Sequence, residues 1–280
     1  MKINLDNLTP KQMHRLVKEK PWFCLQHLLD KLTPEQFDAC VRQVPGYALY
    51  FLQSRLTQEQ FDACVLKAPR TALMCCVSRM SREQIDYCAQ EHPDVALRFA
   101  ADQLDDTRFN ECVELAPEAA VQYAFERLNE RQLNYCVRMA PVAVLEYLCP
   151  EQLTPEQFDY CVRKAPAQAL MYAEAALTPE QFDYCVREAP GTALKRFHAR
   201  LSCQNLVYCI DKRPDVALEL VADGMLELTQ DQFDDCVWKA PREAIKYVWN
   251  LLDDEQKAYC SSREPDLVVA ALSYEYSLDE

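Results

Sequence analysis

A proline recurs at an almost fixed interval along this chain: Pro21, Pro45, Pro69, Pro93, Pro117, Pro141, Pro166, Pro190, Pro214, Pro241 and Pro265. The step is 24 residues except before Pro166, where it is 25, and before Pro241, where it is 27. Proline lacks an N–H and clashes with the preceding helical turn, so no helix runs through these points. Each interval must therefore hold its own short, punctuated unit. The phrase LTPEQFDYCVR stands at residues 153–163 and again at 177–187. Aligned on the leading apolar residue, units begin at Leu8, Leu32, Leu56, Met80, Leu104, Leu128, Leu153, Leu177, Leu201, Leu228 and Leu252. One extra residue falls near Leu148–Gln152 and three near Ala222–Glu227.

Written as positions 1–24, the unit reads L-T-P-E-Q-F-D-x-C-V-x-x-A-P-x-x-A-L and then a variable stretch. Thr at position 2 with Gln at position 5 is a capping box, and Pro at position 3 sits in the first turn, where its missing N–H costs nothing. Apolar residues at positions 6, 9, 10 and 13 form one buried helical stripe, as in Phe158, Cys161, Val162 and Ala165. Pro at position 14 stops that helix and opens a second, whose stripe is positions 17, 18 and 21, as in Ala169, Leu170 and Ala173. Two helices of roughly ten residues cannot stand alone. Stacked copies can share a core. The expected fold is all-α: an α-solenoid, a right-handed superhelix of about eleven helix–turn–helix repeats. It forms a single domain over residues 1–280, with kinks near 148–152 and 222–227.

The period, the L-x-P-E opening and the mid-unit Pro are similar to bacterial leucine-rich repeat variants and, more loosely, to HEAT-type solenoids. That resemblance implies packing and no chemistry. Some leucine-rich repeat variants carry an N-terminal cysteine cluster for an iron–sulfur centre. Here Leu16 stands where later units have Cys, and only Cys24 is nearby, so the cluster is not carried over.

Ten of the fifteen cysteines occupy position 9, from Cys40 to Cys260. Equivalent helices stacked ~8–10 Å apart would hold them beyond the ~7 Å Cα limit for a disulfide and too far apart for a shared tetrahedral metal. Position 9 therefore reads as a small apolar contact in a reducing compartment. His92 follows Cys88 by four residues, a spacing that could pair a nucleophile with a base, but Cys88 is one of ten equivalent core positions. HExxH, GxSxG and the P-loop are absent. Only three glycines are present, which argues against phosphate-cradling loops. The expectation is no catalytic residue, no cofactor and no metal. Met1–Lys20 shows no signal peptide and no stretch reaches membrane-spanning length, so the expected location is the cytoplasm.

Net charge is −14: residues 1–100 balance at +2 and residues 101–280 at −16. Such a body repels nucleic acid and anionic membrane and favours a basic protein. Position 7 is often Asp and position 8 often Tyr. One account pairs Asp at 7 with Arg at 11, as in Asp38–Arg42, Asp159–Arg163 and Asp183–Arg187, and leans Tyr on the next unit. The other makes them an acidic, aromatic strip for a partner. The candidate partner-binding residues are Asp62, Leu66, Asp86, Tyr87, Tyr135, Asp159, Tyr160, Asp183, Tyr184, Tyr208, Asp234 and Trp238. Leu66, Gln90 and Trp238 stand where Asp62, Asp86 and Asp234 would otherwise meet a cation, and Leu66 and Trp238 have no packing reason to be apolar. The aromatics at position 20, Phe51, Phe99, Tyr123, Tyr147, Tyr172 and Tyr247, read as core. The tail SYEYSLDE at 273–280 reads as a frayed end or a docking peptide. The expected function is a non-catalytic protein-binding repeat scaffold. The alternative is a nucleic-acid mimic that inhibits a DNA- or RNA-binding protein, as phage anti-defence proteins do, and a metal- or thiol-dependent enzyme ranks below both.

Overall fold

A computed structural model describes residues 8–268, and the tail expectation at 273–280 lies outside them. Every regular element among the described residues is helical, and the helices pack consecutively as in an α-solenoid. The first helix of each repeat has ten residues, positions 3–12, as in Pro34–Gln43. The second starts at the proline and has only seven to nine, as in Pro45–Leu52 and Pro69–Cys75. The second helix is therefore shorter than the repeat pattern suggests. At position 21 the backbone leaves the helical region, with Leu52 at φ −127°, ψ 15° and Ala100 at φ −134°, ψ 10°. The chain then tightens into a three-residue 3-10 turn in eight of the repeats, such as Gln53–Arg55 and Ala101–Gln103.

The capping box forms as the letters require. The Gln36 N–H donates to Thr33 Oγ1 at 3.3 Å and the Thr33 N–H donates to Gln36 Oε1 at 3.1 Å. Position 13 is the joint. A residue before proline avoids the α region, and Val44 sits at φ −130°, ψ 61°. Its N–H still closes the first helix on the Cys40 carbonyl at 3.1 Å, and its carbonyl opens the second by accepting from the Ala48 N–H at 3.1 Å. The turn between helices thus leaves the hydrogen-bond ladder almost unbroken.

The two stripes face inward as expected. Cys, Val, Ala and Leu at positions 9, 10, 17 and 18 are buried through the array, for example Cys64, Val65, Ala72 and Leu73. Each buried Leu or Val contributes about 1.5–3 kcal/mol, which is what holds helices too short to persist alone. The cysteines are all free. Those at position 9 are fully enclosed, and burial pushes the Cys40 and Cys161 thiols up to about 12 and those of Cys88, Cys112, Cys136, Cys185, Cys209 and Cys236 up to about 11. They pack as apolar residues.

The chain divides into two compact units, Met1–Ala143 and Val144–Glu280. In the first, Arg79 lies over the Phe61 ring at 4.2 Å and donates to the carbonyls of Gln53 and Leu56, tying its own 3-10 turn to the one before. Arg127 repeats the clamp over Phe109, on Ala101 and Leu104. In the second unit Arg213 grips Asp215 with both Nε and Nη2, at 2.9 and 2.7 Å. Gly191 leaves the room: a Cβ there would meet the Arg213 guanidinium at 2.4 Å. The three-residue insertion ends the helix Pro214–Ala222 on Gly224 at φ +68°, whose neighbours Met225 and Leu226 both donate back to the Leu220 carbonyl. No helix among the described residues is long and apolar enough to cross a membrane.

Candidate functional site

The Asp at position 7 faces the next repeat. Its partner is the side-chain amide at position 5 there, Asn205 in one repeat and otherwise a capping-box Gln, whose carboxamide has an N–H to spare after its oxygen has capped the helix. In the first unit Gln60 Nε2 donates to Asp38 at 3.2 Å, Gln84 to Asp62 at 2.8 Å and Gln132 to Asn110 at 2.8 Å. In the second, Gln181 donates to Asp159 at 3.1 Å, Asn205 to Asp183 at 2.8 Å and Gln256 to Asp234 at 2.8 Å. One glutamine therefore caps its own helix and holds its neighbour. Accepting from Gln181 and Arg163 keeps the Asp159 carboxyl below its usual range.

Position 8 does the same through its hydroxyl. Tyr135 donates to the Glu114 carbonyl at 3.1 Å, Tyr184 to Arg163 at 3.2 Å, Tyr208 to Arg187 at 3.3 Å and Tyr259 to Trp238 at 3.1 Å. The acceptor is position 11 of the preceding repeat each time. Most of the strip expected to meet a partner is thus spent on repeat-to-repeat bonds.

The Asp–Arg pairing holds at Asp38–Arg42 and at Asp159–Arg163, 2.7 Å, but Asp183 forms no such pair with Arg187; its contact is Asn205. Asp62 and Asp234 have no cation but are not bare. Gln58 and Gln230, which replace Pro at position 3, each donate to them at 2.7 Å from one turn earlier. Trp238 does have a packing reason: its ring meets Tyr259 edge-on at 4.5 Å. Leu66 is left exposed, at 57 %. Tyr87 is exposed, and Tyr160 lies under Lys164 Nζ at 5.8 Å. Asp86 is the exception to the ladder. Arg108 stands where the next repeat should offer Gln, turns instead to Glu111, and leaves Asp86 Oδ1 and its own Nε buried without a hydrogen bond.

Shallow clefts open beside these bonds. In the first unit one of about 320 Å³ is lined by Asp38, Arg42, Glu59, Gln60 and Lys67, and one of about 160 Å³ by Asn110, Val113, Glu114, Arg131 and Tyr135. In the second, about 280 Å³ lies between Asp159, Arg163, Glu180 and Tyr184. Each is lined by both carboxylate or amide and guanidinium groups, and in two of them these are the Asp38–Arg42 and Asp159–Arg163 pairs themselves. His92 is the joint residue after its helix, with its N–H on the Cys88 carbonyl at 2.9 Å, and the buried Cys88 thiol is held protonated. That is the reverse of what an activated thiolate requires.

The position-20 aromatics are not core. Phe51 is 61 % exposed, and Phe99, Tyr123, Tyr147 and Tyr172 are also exposed, while Tyr247 is half-buried. In the first unit the Phe51 ring meets Tyr47 at a tilt, 4.6 Å, and Tyr50 edge-on, 4.7 Å. Two repeats on, the Arg98 guanidinium sits between Phe99 and Tyr123, 4.9 and 5.0 Å from the two rings. The signal was available: position 20 lies about 100° around the helix from the centre of the 17–18–21 stripe. No family model matches this chain, and no curated protein or solved structure matches it.

Proposed function

We propose that this chain is a non-catalytic, protein-binding repeat scaffold whose partner is basic. The observation that supports this reading best is the set of exposed aromatics on the second helices, with Arg98 showing how a guanidinium seats between two of them. Exposed aromatic rings at regular spacing are interface anchors, and a cation over a ring is worth about 0.5–1 kcal/mol even in water. Acidity chooses the sign of the partner. Residues 1–143 hold 17 Lys/Arg against 19 Asp/Glu, whereas residues 144–280 hold 13 against 25. Glu156, Glu180, Asp231, Asp254 and Glu255 all face solvent in the second unit. That excess of −12 also favours a second reading, an anionic surface that occupies the DNA- or RNA-binding cleft of another protein.

The test is capture of partners by the immobilised full chain from nuclease-treated bacterial lysate at low and high salt. Two control chains accompany it: Phe51→Ser/Phe99→Ser/Tyr123→Ser, and Glu156→Lys/Glu180→Lys/Glu255→Lys. The second avoids the aspartates that join repeats. A basic protein lost with salt and from both controls supports the scaffold. Release of that protein by added duplex DNA moves the mimic forward. Identical retention by all three chains would sink both readings.

A further inference from the structure

Position 12 closes the first helix beside the joint, and it is charged or amide-bearing in every other described repeat, from Glu19 and Gln43 to Lys239 and Arg263. Two adjacent repeats break the rule. Leu115 is 68 % exposed and Met139 is 57 % exposed, and Val142, three residues beyond Met139 at the start of the next helix, is 43 % exposed. Neither repeat packing nor helix capping asks for an apolar side chain there. All three lie in the first unit. The columns around them are acidic: Glu91 precedes Leu115 at position 12, Glu114 stands at position 11, and Glu118 precedes Val142 at position 15. Against these carboxylates stand two bases, Arg138 beside Met139 and Arg131 in the cleft that Glu114 lines. The 160 Å³ cleft shares Glu114 with this surface.

We infer that Leu115, Met139 and Val142 form a docking patch for a basic amphipathic helix. The helix seats its apolar ridge on the three side chains and its lysines or arginines on Glu91, Glu114 and Glu118. Charge complementarity selects this occupant: an acidic helix would place like charges across the rim, and a purely apolar one would leave three carboxylates facing nothing. The patch names the partner chemistry within the scaffold reading and rests on it.

The experiment is a fluorescence anisotropy titration of the full chain with a labelled synthetic amphipathic helix of leucine and lysine. A scrambled peptide of the same composition, with no apolar face, serves as the comparison. The ordered peptide should bind at least roughly tenfold tighter than the scrambled one, and Leu115→Glu/Met139→Glu should abolish that difference. Glu114→Lys/Glu118→Lys should weaken binding of both peptides. The helical circular dichroism of each variant must match the parent, since these positions are exposed. Equal affinity for the two peptides, or unchanged preference in the Leu115/Met139 variant, overturns the inference. So does a parent chain that sediments as a dimer and becomes monomeric in that variant, because the patch then meets a second copy. Loss of binding only in the Phe51/Phe99/Tyr123 variant keeps the scaffold and removes this patch from it.

Discussion

Replacing Arg108 by glutamine should make the protein more stable although it deletes an ion pair. A capping-box glutamine at position 5 does two things: it accepts from the N-cap N–H, as Gln256 does from Asp253 at 3.0 Å, and it donates to the preceding Asp or Asn, as Gln84 does to Asp62 at 2.8 Å. Arg108 does neither. Asp105 caps the helix from its side only, and Asp86 Oδ1 is buried and unpaired. Arg108→Gln would restore both bonds, each worth about 0.5–1.5 kcal/mol net, and remove the unsatisfied Nε. The Arg108–Glu111 contact that is lost has a half-exposed partner and is worth about 0.3–0.5 kcal/mol. The balance is a gain of about 1–2 kcal/mol. Urea unfolding followed by circular dichroism should show the midpoint rising with little change in slope. Adding Asp86→Ala to the variant should remove the part due to the restored rung and leave the part due to the cap. A variant no more stable than the parent would refute the assignment of Asp86 and Arg108 as a broken rung.

Other outcomes follow from the same structure. Cys161→Ser should destabilise by about 1–3 kcal/mol and Cys161→Ala by less, measured by the same unfolding, because the site wants a small apolar group and an unpaired hydroxyl is costly there. Gly224→Ala should cost about 1 kcal/mol, since φ is +68° with open space around it, so only backbone strain is added. Alkaline pH should unfold the chain. Burial raises all the position-9 thiols, Cys88 from an ordinary 9.0 to about 11 and Cys161 to about 12, so such a thiol's contribution is whole below pH 9 and is lost as pH climbs through 9 to 11, at about 1.4 kcal/mol per pH unit. Cys→Ala changes at Cys161 and Cys185 should flatten that limb. At the acid end Asp159 is lowered, so its contribution is whole above pH 3.8 and is lost as pH falls below it. Asp159→Asn should shrink the acid limb of the pH–stability curve.

The helices were legible because their causes are local. Thr33 with Gln36, Pro45, and the Cys40–Val41 and Ala48–Leu49 pairs each act within one repeat. The role of Asp at position 7 was not legible, because its bond to the glutamine of the following repeat depends on how two repeats sit against each other. A trace of it was present: the two repeats with an apolar residue at position 11, Leu66 and Trp238, carry Gln58 and Gln230 at position 3. Phe51 and its equivalents read as core only if the second helix runs on past position 21. Because it stops there, position 20 is left on the flank with no further turn to cover it. Leu115 and Met139 escape a reading of the repeat because a repeat draws attention to what recurs, and a surface for one partner shows in what does not.

The buried cysteines give this chain one further property. Each repeat from Cys40 onward carries one thiol at position 9, closed to solvent, whose burial favours the protonated form. An exchange reagent can reach that sulfur only when its own repeat opens, so the rate of labelling at each site counts the openings of that repeat. The array is a row of equally placed gates with a recorder behind each one. Mass spectrometry of partly labelled protein would read them together, and the first gate to open would mark where unfolding begins.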